Sequence, residues 1–291
     1  MPYFGVHESI SGGFDAAVKK VKANGFDCIQ IFSANASRWV AKPILASAAE
    51  KFQRALAETG ISRPLIHDSY LINIASANPE LLEKSINAFR EELERAAALG
   101  IPQVVMHPGS AKDDTRESAL SRAAQSLDRI FEAIPENKTT VLIETTAGQG
   151  SYLGSTFEEI ASIIRASDHP DRFGVCFDTS HSFVAGYDIA TRDGYERAFE
   201  EFDKTIGLER LKAFHLNDTV KGLGSHLDRH AHIGMGALGE DAFRFIVNDP
   251  RFKELPMYLE TPKGTTEDGQ EWDVINLQRL RSLKRLRSLI E

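Results

Sequence analysis

Cysteine is scarce in this sequence, and long apolar runs are missing. The two cysteines, Cys28 and Cys176, both lie within short apolar segments, where a buried reduced thiol is more typical than a disulfide. No segment approaches the roughly 20 apolar residues that a membrane-spanning helix requires. The first residues, MPYFGVHESI, lack the basic and then apolar pattern of a signal peptide. These absences predict a soluble, cytoplasmic protein without a membrane partner.

An excess of basic residues is also missing. The 42 acidic and 34 basic residues give a formal net charge of -8. Taken alone, this charge argues against a nucleic acid partner, because surfaces that bind nucleic acids are basic. Whole-chain charge is weak evidence, however, since bound metal ions or a local basic rim change the charge that a partner meets. The charge therefore does not decide the class of partner.

Eight short apolar segments, rich in β-forming residues, alternate with segments of helical periodicity. In residues 79–100, for example, apolar residues recur at steps of three and four. Strands this continuously apolar are typical of a parallel sheet that helices cover on the outside. The sequence therefore predicts an α/β fold, a single eight-stranded parallel (β/α)8 TIM barrel that spans residues 1–291 as one domain. The predicted strands are 3–7, 28–32, 64–67, 103–107, 140–144, 174–178, 211–215 and 256–260.

Seven of the eight predicted strands end on a histidine, an aspartate or a glutamate. The carboxyl ends of the strands of a TIM barrel meet at one face, where the following loops build the active site. After the seventh strand, Asp228 and His230 can share a face of an extended segment while Arg229 points elsewhere. A supporting role is predicted for His7, which ends the first strand. The candidate metal ligands are His67, His107, Glu144, Asp178, His181, His215, Asp228, His230 and Glu260.

Four of these nine residues are carboxylates, which would repel one another if they were buried together without cations. Nine nitrogen and oxygen donors exceed what one tetrahedral ion can use, and they suit three ions. Donor sets without thiolate favour zinc, with manganese or iron as possible substitutes. Three divalent ions would change the formal charge from -8 to -2. Any one of these residues has a structural explanation by itself, so the prediction depends on their joint placement.

Metal ions that lie close together stabilise the attacking and leaving oxygens of a displacement at phosphorus. The sequence therefore predicts the hydrolysis of a phosphate ester. A xylose isomerase-like sugar isomerase or epimerase is the alternative, and it would use one or two ions. A DNA-binding module without metal is a weaker hypothesis, because it leaves the four carboxylates at the mouth unexplained.

Seven motifs, in order, resemble the endonuclease IV family of metal-dependent apurinic/apyrimidinic endonucleases. The resemblance runs from residue 5 to about residue 262. It implies a DNA repair enzyme that hydrolyses the phosphodiester 5′ to an abasic site in duplex DNA during base excision repair. The products would be a 3′ hydroxyl and a 5′ deoxyribose phosphate, and blocked 3′ ends would also be trimmed. The motifs are HDSYLIN (67–73), HPGS (107–110), ETTAGQG (144–150), FDTSHSFVAGYD (177–188), HLND (215–218), DRHAHIGMG (228–236) and LET (259–261).

The resemblance also implies three Zn²⁺ ions per chain and a distribution of the ligands among them. Glu144 would bridge two of the ions. Catalytic roles would fall to His67, His107, Glu144, Asp178 and Glu260. The first ion would take His67, His107 and Glu144; the second Glu144, Asp178, His215 and Glu260; and the third His181, Asp228 and His230.

Contacts to DNA are implied at the rim of the site. Tyr70 and Leu71 match the side chains that the family inserts into the duplex, and apolar wedges of this kind can separate bases. Arg38 and Arg229 are predicted to contact DNA as well. The sequence indicates no obligate protein partner, and the leucine-rich segment 277–291 is predicted to be a packed helix.

Three positions depart from the pattern that is usual in the family. Ala34 stands where a lysine is expected, and Ser37 stands where an inserted arginine is usual, with Arg38 beside it. Either Arg38 substitutes from the neighbouring position or the penetration of DNA is weaker here. Thr145 follows the bridging glutamate where many members have asparagine, and we expect this change to tune a supporting contact.

Overall fold

Eight parallel strands form a closed barrel in this computed structural model, which describes residues 2–112 and 114–285. The strands are β1 (Tyr3–Glu8), β2 (Cys28–Phe32), β3 (Ser62–His67), β4 (Gln103–Met106), β5 (Thr140–Glu144), β6 (Phe173–Asp178), β7 (Leu211–His215) and β10 (Pro256–Leu259). Their order around the barrel is β1, β10, β7, β6, β5, β4, β3, β2, and each neighbouring pair is parallel. The predicted α/β (β/α)8 TIM barrel is therefore confirmed, with each strand boundary within two residues of the prediction.

Helices cover the outside of this barrel, and two additions interrupt its regular alternation of strand and helix. Two helices, instead of one, follow β6. A two-stranded antiparallel hairpin of β8 (Asp218–Thr219) and β9 (His230–Ala231) follows β7 and forms a separate sheet. The helices are α1 (Phe14–Ala23), α2 (Ala46–Thr59), α3 (Pro79–Leu99), α4 (Arg116–Ala133), α5 (Phe157–Ala166), α6 (Thr179–Ala185), α7 (Arg192–Thr205), α8 (Gly239–Asn248) and α9 (Trp272–Arg285).

Helix α3 shows how local sequence sets these elements. Asn78 precedes the helix, and its side chain accepts a hydrogen bond from the backbone N–H of Leu81, which satisfies one of the free donors of the first turn. Pro79 occupies the first helical position, where its missing N–H costs nothing. Gly100 ends the helix in the left-handed conformation, at φ 67°. The sequence predicted both ends.

The interior of the barrel contains two layers of side chains, because alternate residues of a strand share a face. We call them the lower layer and the upper layer. The upper layer comes from the same seven strands as the lower one, two residues further along each, at the carboxyl end of the barrel. The lower layer is a separate buried cluster of Cys28, Leu65, Val105, Leu142, Cys176, Ala213 and Tyr258. The upper layer consists of Gln30, His67, His107, Glu144, Asp178, His215 and Glu260.

Gly5 in β1 makes space for the lower layer. A Cβ atom at this position would lie 2.5 Å from Cδ1 of Tyr258 and 2.6 Å from Sγ of Cys28, closer than real Cβ contacts. The Tyr258 hydroxyl donates a hydrogen bond to the backbone oxygen of Arg63 at 2.6 Å. Cys28 and Cys176 are buried and free, as predicted, and burial raises the pKa of the Cys176 thiol to about 11.

The C-terminal helix α9 packs against the barrel through buried Leu277, Leu280 and Leu283. The prediction of a packed helix is confirmed as far as residue 285, while residues 286–291 lie outside the described part of the chain. Among the helices of residues 2–112 and 114–285, none is both long enough and apolar enough to cross a membrane.

Candidate metal centre

Imidazole and carboxylate groups meet at the carboxyl end of the barrel, where the upper layer adjoins α6 and the β8–β9 hairpin. They form three groups in which the potential ligand atoms all lie within 4.8 Å of one another. Glu144 and Asp178 each belong to two of the groups, so the three positions are adjacent. The groups are His67, His107 and Glu144; Glu144, Asp178, His215 and Glu260; and Asp178, His181 and His230. This arrangement is able to bind metal ions.

Asp228 completes the third group from the hairpin. Its Oδ2 lies 3.3 Å from Nε2 of His181, and its Oδ1 lies 3.3 Å from Nε2 of His230. The intervening Arg229 is exposed and donates a hydrogen bond to the backbone oxygen of Asp228. The structure therefore brings all nine predicted ligands into one cluster, and Asp228 and His230 face it together while Arg229 does not.

Glu144 lies at the centre of the cluster and is completely buried. One of its oxygens, Oε2, is 3.2 Å from Nε2 of His67 and 3.2 Å from Nε2 of His107. The other, Oε1, is 3.1 Å from Nδ1 of both His181 and His215. Burial acts to raise the pKa of the Glu144 carboxyl, but the surrounding histidines outweigh it and hold this pKa well below its usual range.

In three of the histidines, burial and the neighbouring groups act on the pKa in the opposite directions. Burial acts to lower the pKa of His67, but hydrogen bonds to Asp68 and Glu144 raise it well above its usual value. Burial also acts to lower the pKa of His181 and His215, but the carboxylates around His181, and Cys176 together with the carboxylates around His215, raise each pKa well above its usual value. Metal ligation requires the neutral form of each imidazole, so the affinity of this cluster for a metal depends on pH.

Two unsatisfied nitrogens test whether the residues fit a metal. Nε2 of His107 and Nε2 of His230 are buried, and neither has a hydrogen-bond partner among the described residues. Both nevertheless lie within 3.3 Å of a carboxylate oxygen, at an angle unsuited to a hydrogen bond. Buried polar atoms without partners cost about 1–3 kcal/mol each. A cation among these nitrogen and oxygen donors would use the free lone pairs, so the donor set fits divalent metal.

The end of β6 positions two members of the cluster at once. Asp178 is the residue before α6, and its Oδ1 accepts a hydrogen bond from the backbone N–H of His181 at 2.8 Å. Its Oδ2 accepts one from the side chain of Asn217 at 2.7 Å. Asp178 thus caps the helix, which is its structural role, and also faces the cluster. The cap fixes the turn that carries His181.

Four of the histidines have one ring nitrogen within hydrogen-bonding distance of a group other than a cluster carboxylate, and in His181 this nitrogen also lies 3.1 Å from Oε1 of Glu144. In three of them the partner is a backbone carbonyl, and in His215 it is the side-chain oxygen of Gln30. A fixed N–H on one nitrogen leaves the lone pair of the other free to bind metal. The pairs are His67 Nδ1 with Asp68 O (3.0 Å), His181 Nδ1 with Thr145 O (2.9 Å), His230 Nδ1 with Glu260 O (3.2 Å) and His215 Nε2 with Gln30 Oε1 (2.8 Å).

Comparison with known proteins assigns the chain that carries this site to a family. The sequence matches, over residues 18–283, a family described as xylose isomerase-like TIM barrel. A probable endonuclease 4 from Citrifermentans bemidjiense is 50% identical over 283 residues, which cover 97% of this chain and 99% of that protein. The chain belongs to the endonuclease IV family. Endonuclease IV from Thermus thermophilus has a crystal structure that matches this one with a TM-score of 0.85 and 34% identity, over 98% of this chain and 99% of that chain.

Sugar epimerases share the fold with this endonuclease IV family member. The crystal structure of a D-tagatose 3-epimerase-like protein matches with a TM-score of 0.74, over 98% of this chain and 97% of that chain, at 18% identity. At this level of identity the match shows a common barrel and nothing about the reaction.

The endonuclease IV motifs did not identify Gln30, Asp68 and Asn217 as supporting residues. Asn217 donates to Asp178, and its side-chain oxygen accepts from the backbone N–H of Glu260. Asp68 and Asn217 lie inside the quoted motifs, but no role followed from the sequence alone. Gln30 could have been found, because it is the one polar residue in the apolar segment CIQIF and it lies two residues beyond Cys28 in the barrel interior.

Thr145, one of the three positions predicted to depart from the family pattern, supports the cluster through contacts to Asp178, His181 and Ser182. Its hydroxyl accepts a hydrogen bond from the backbone N–H of Asp178 at 2.9 Å and another from the hydroxyl of Ser182 at 3.0 Å. Its backbone oxygen accepts from His181 at 2.9 Å. The hydroxyl therefore makes the supporting contact that the sequence predicted at this position, and its effect on activity stays a prediction.

A cavity of about 450 Å³ lies next to the cluster, and its lining residues form the rim of the site. Tyr70, Leu71 and Arg229 line it, together with His107 and Asp228. Tyr70 is 67% exposed, and its ring centroid lies 5.9 Å from that of His67. Three of the four predicted DNA contacts therefore lie at one opening, next to the candidate metal ligands.

The fourth predicted contact, Arg38, lies apart from this opening. Arg38 is exposed and is not among the residues that line the cavity above the cluster. Ala34 and Ser37 from the same loop line a second cavity, of about 790 Å³, which Tyr70 separates from the first. The role of Arg38 in place of an arginine at position 37 stays a prediction.

The remaining histidines take structural positions. Nδ1 of His7 lies 2.9 Å from Nε2 of Gln30, in the supporting position predicted for it. His226 is exposed in the hairpin loop. His169 and His232 are half-buried, because each packs on an aromatic ring. The ring partners are Phe131 for His169 and Trp272 for His232, the latter stacked at 3.9 Å.

Proposed function

We propose that this chain is a metal-dependent DNA repair endonuclease of base excision repair. It hydrolyses the phosphodiester 5′ to abasic sites in duplex DNA, leaves a 3′ hydroxyl and a 5′ deoxyribose phosphate, and trims blocked 3′ ends. One domain carries this activity, and it works in the cytoplasm. The observation that supports the proposal best is the position of the nine-residue cluster at the floor of the cavity lined by Tyr70, Leu71 and Arg229.

The cluster would hold three Zn²⁺ ions per chain, with Mn²⁺ or Fe²⁺ as possible substitutes. Divalent ions there would supply positive charge to a phosphodiester and lower the pKa of a water molecule. The catalytic residues of the proposal are His67, His107, Glu144, Asp178 and Glu260. The ligands of the proposal are these five residues together with His181, His215, Asp228 and His230.

The protein's own residues would select the substrate. An abasic sugar has no base to unstack, so turning it out of the duplex costs less than turning out an intact nucleotide. The exposed ring of Tyr70 and the half-buried Leu71 offer an apolar edge that can fill the gap in the base stack at an abasic site. Arg229, which lines the same cavity, would supply a positive charge to the phosphate backbone.

The test is incision of a 5′-labelled duplex that contains one tetrahydrofuran abasic analogue. The zinc-loaded protein should cut it once, on the 5′ side, and a DNA polymerase should extend the product because its end is a 3′ hydroxyl. A chelator should abolish the cut and added zinc should restore it, while an undamaged duplex of the same sequence should stay intact. Zinc-loaded protein that leaves the abasic strand uncut would refute the proposal. Turnover of a ketose with one ion per chain would support the sugar epimerase alternative.

A further inference from the structure

Gln30 is a buried side chain of the upper layer that does not belong to the predicted ligand set. It lies in β2, is completely buried, and makes three contacts with its terminal amide. Nε2 donates to Oε1 of Glu260 at 2.5 Å and lies 2.9 Å from Nδ1 of His7. Oε1 lies 2.8 Å from Nε2 of His215. One amide therefore connects two of the candidate ligands of the same ion.

The donors and acceptors fix the orientation of this amide. An amide nitrogen carries two hydrogens, and here one goes to the Glu260 carboxylate and the other to His7. If the amide were reversed, its oxygen would face the carboxylate oxygen of Glu260, and both would be acceptors. The oxygen of Gln30 must therefore accept from an N–H on Nε2 of His215. Nε2 of His215 then carries a hydrogen, and in the neutral imidazole that metal ligation requires the lone pair is on Nδ1.

Nδ1 of His215 faces the cluster. It lies 3.1 Å from Oε1 of Glu144 and 3.2 Å from Oε2 of Glu260. The same amide that donates to Oε1 of Glu260 thus leaves Oε2 on the side of the cluster. Nδ1 of His215 and Oε2 of Glu260 therefore lie together on the side of the cluster. Gln30 contacts the other ring nitrogen of His215 and the other oxygen of Glu260.

His215 differs from the three other histidines whose partner nitrogen is fixed. His67, His181 and His230 are each held through Nδ1 by a backbone carbonyl. His215 is held through Nε2, and its partner is a side chain. A backbone carbonyl is present whatever the sequence, but the orientation of His215 depends on the residue at position 30.

We propose that Gln30 is a positioning residue, which fixes the tautomer of His215 and the rotamer of Glu260 so that both can bind the same metal ion. The proposal rests on the metal-dependent function proposed above. Outer partners of metal ligands typically contribute about 10- to 100-fold to metal affinity. Gln30 should therefore affect the affinity of one ion and leave the other two positions nearly unchanged.

The first test compares Gln30→Leu with Gln53→Leu in a titration of the zinc-loaded proteins with chelators of increasing strength. Gln53 is an exposed residue of the outer helix α2, and its amide donates to the backbone oxygen of Leu99. Gln30→Leu should release one equivalent of zinc at an affinity weaker by about 10- to 100-fold, and Gln53→Leu should titrate like the wild type. Release curves that coincide for all three proteins would overturn the proposal.

The second test needs no variant and so does not depend on the folding of Gln30→Leu. ¹⁵N spectra of the histidine side chains in the zinc-loaded wild type should show metal on Nδ1 of His215 and a slowly exchanging hydrogen on Nε2. Metal on Nε2 would overturn the proposal. Incision assays separate the two hypotheses: zinc binding that depends on Gln30 in a protein unable to cut abasic DNA would refute the nuclease function alone.

Discussion

The lower and upper layers inside the barrel come from the same seven strands, two residues apart, yet one is apolar and the other is polar. Leu142 and Glu144 of β5 illustrate the difference, because both are completely buried. The lower layer gains stability from packing, whereas the upper layer costs stability unless its charges are compensated. The comparison shows that the candidate ligands stand directly on a packed floor, which restricts how far each of them can move.

The largest effect is expected for the change of Glu144 to Gln. The amide keeps the shape of the side chain but removes the charge that faces four imidazoles. We expect incision of abasic duplex to fall by at least about 10³-fold, beyond the range found for the loss of one stabilising group, with loss of bound zinc. Metal analysis and single-turnover incision measure both. Glu267→Gln, on an exposed loop, is the matched control, and equal activity of the two variants would contradict the assignment.

The lower layer should respond in the opposite way. Leu142→Ala leaves a cavity under the ligands, and we expect the free energy of unfolding to fall by about 2–5 kcal/mol. Zinc content at saturating zinc should stay the same. Urea unfolding measures the first quantity and metal analysis the second. Leu45, which is 69% exposed, provides the matched control, Leu45→Ala. If Leu142→Ala lowered the zinc content and left the free energy of unfolding unchanged, the two layers would not have these separate roles.

Asp228 provides a further test of the comparison, because it joins the candidate ligands from a loop outside the barrel, where it contacts His181 and His230. Its side chain is partly exposed, so Asp228→Ala should leave the unfolding of the metal-free protein nearly unchanged. One zinc ion per chain should be lost, and incision should fall by about 10²-fold. Burial acts to raise the pKa of Asp228, but His181 and His230 outweigh it and lower this pKa to about 2. Unchanged turnover of abasic duplex would contradict this role.

Tyr70 tests the rim above both layers. Tyr70→Ala should weaken binding to abasic duplex by about 10-fold, since one stacking contact contributes roughly 1–3 kcal/mol, and zinc content should not change. Tyr70→Phe keeps the ring and should bind like the wild type. A fluorescence anisotropy titration under chelation measures the affinity without cleavage. Equal affinity of the alanine variant would remove the wedge role.

The smallest effect expected is a difference in pH dependence. The raised pKa values of His67, His181 and His215 stabilise the metal-free fold below about pH 6.5, the usual pKa of histidine, and this contribution is lost as pH rises through the raised values. The metal-free protein should therefore unfold more easily at pH 9 than at pH 6. The zinc-loaded protein should not, because metal binding requires neutral imidazoles. Thermal unfolding with zinc and with chelator measures both, and parallel curves would contradict the explanation.

Most of the barrel could be predicted because its strands are buried on both sides and give continuous apolar segments. The same signal located seven of the nine candidate ligands at or just beyond strand ends, and the spacing of two residues paired Asp228 with His230. The hairpin of β8 and β9 was not predicted, because strands of two residues are too short for a periodic pattern.

Two features of the site show why the rest escaped the sequence. Gln30 was read as part of an apolar strand, since its contacts to His215 and Glu260 join residues 185 and 230 positions away. Ser33 follows the one predicted strand that does not end on a charged or imidazole side chain, and its role appears only in the fold. There its hydroxyl donates to Glu92 of α3 and accepts from Arg95, which anchors the loop of Arg38.

The glycine at position 5 has a consequence for how related sequences can diverge. Because any Cβ there would collide with the Tyr258 ring and the Cys28 thiol, the three positions share one volume on neighbouring strands. A larger residue at position 5 requires smaller residues at both position 258 and position 28. Among homologues, these three positions should therefore covary, and a lineage with alanine at position 5 should have lost the tyrosine that closes the floor of the barrel.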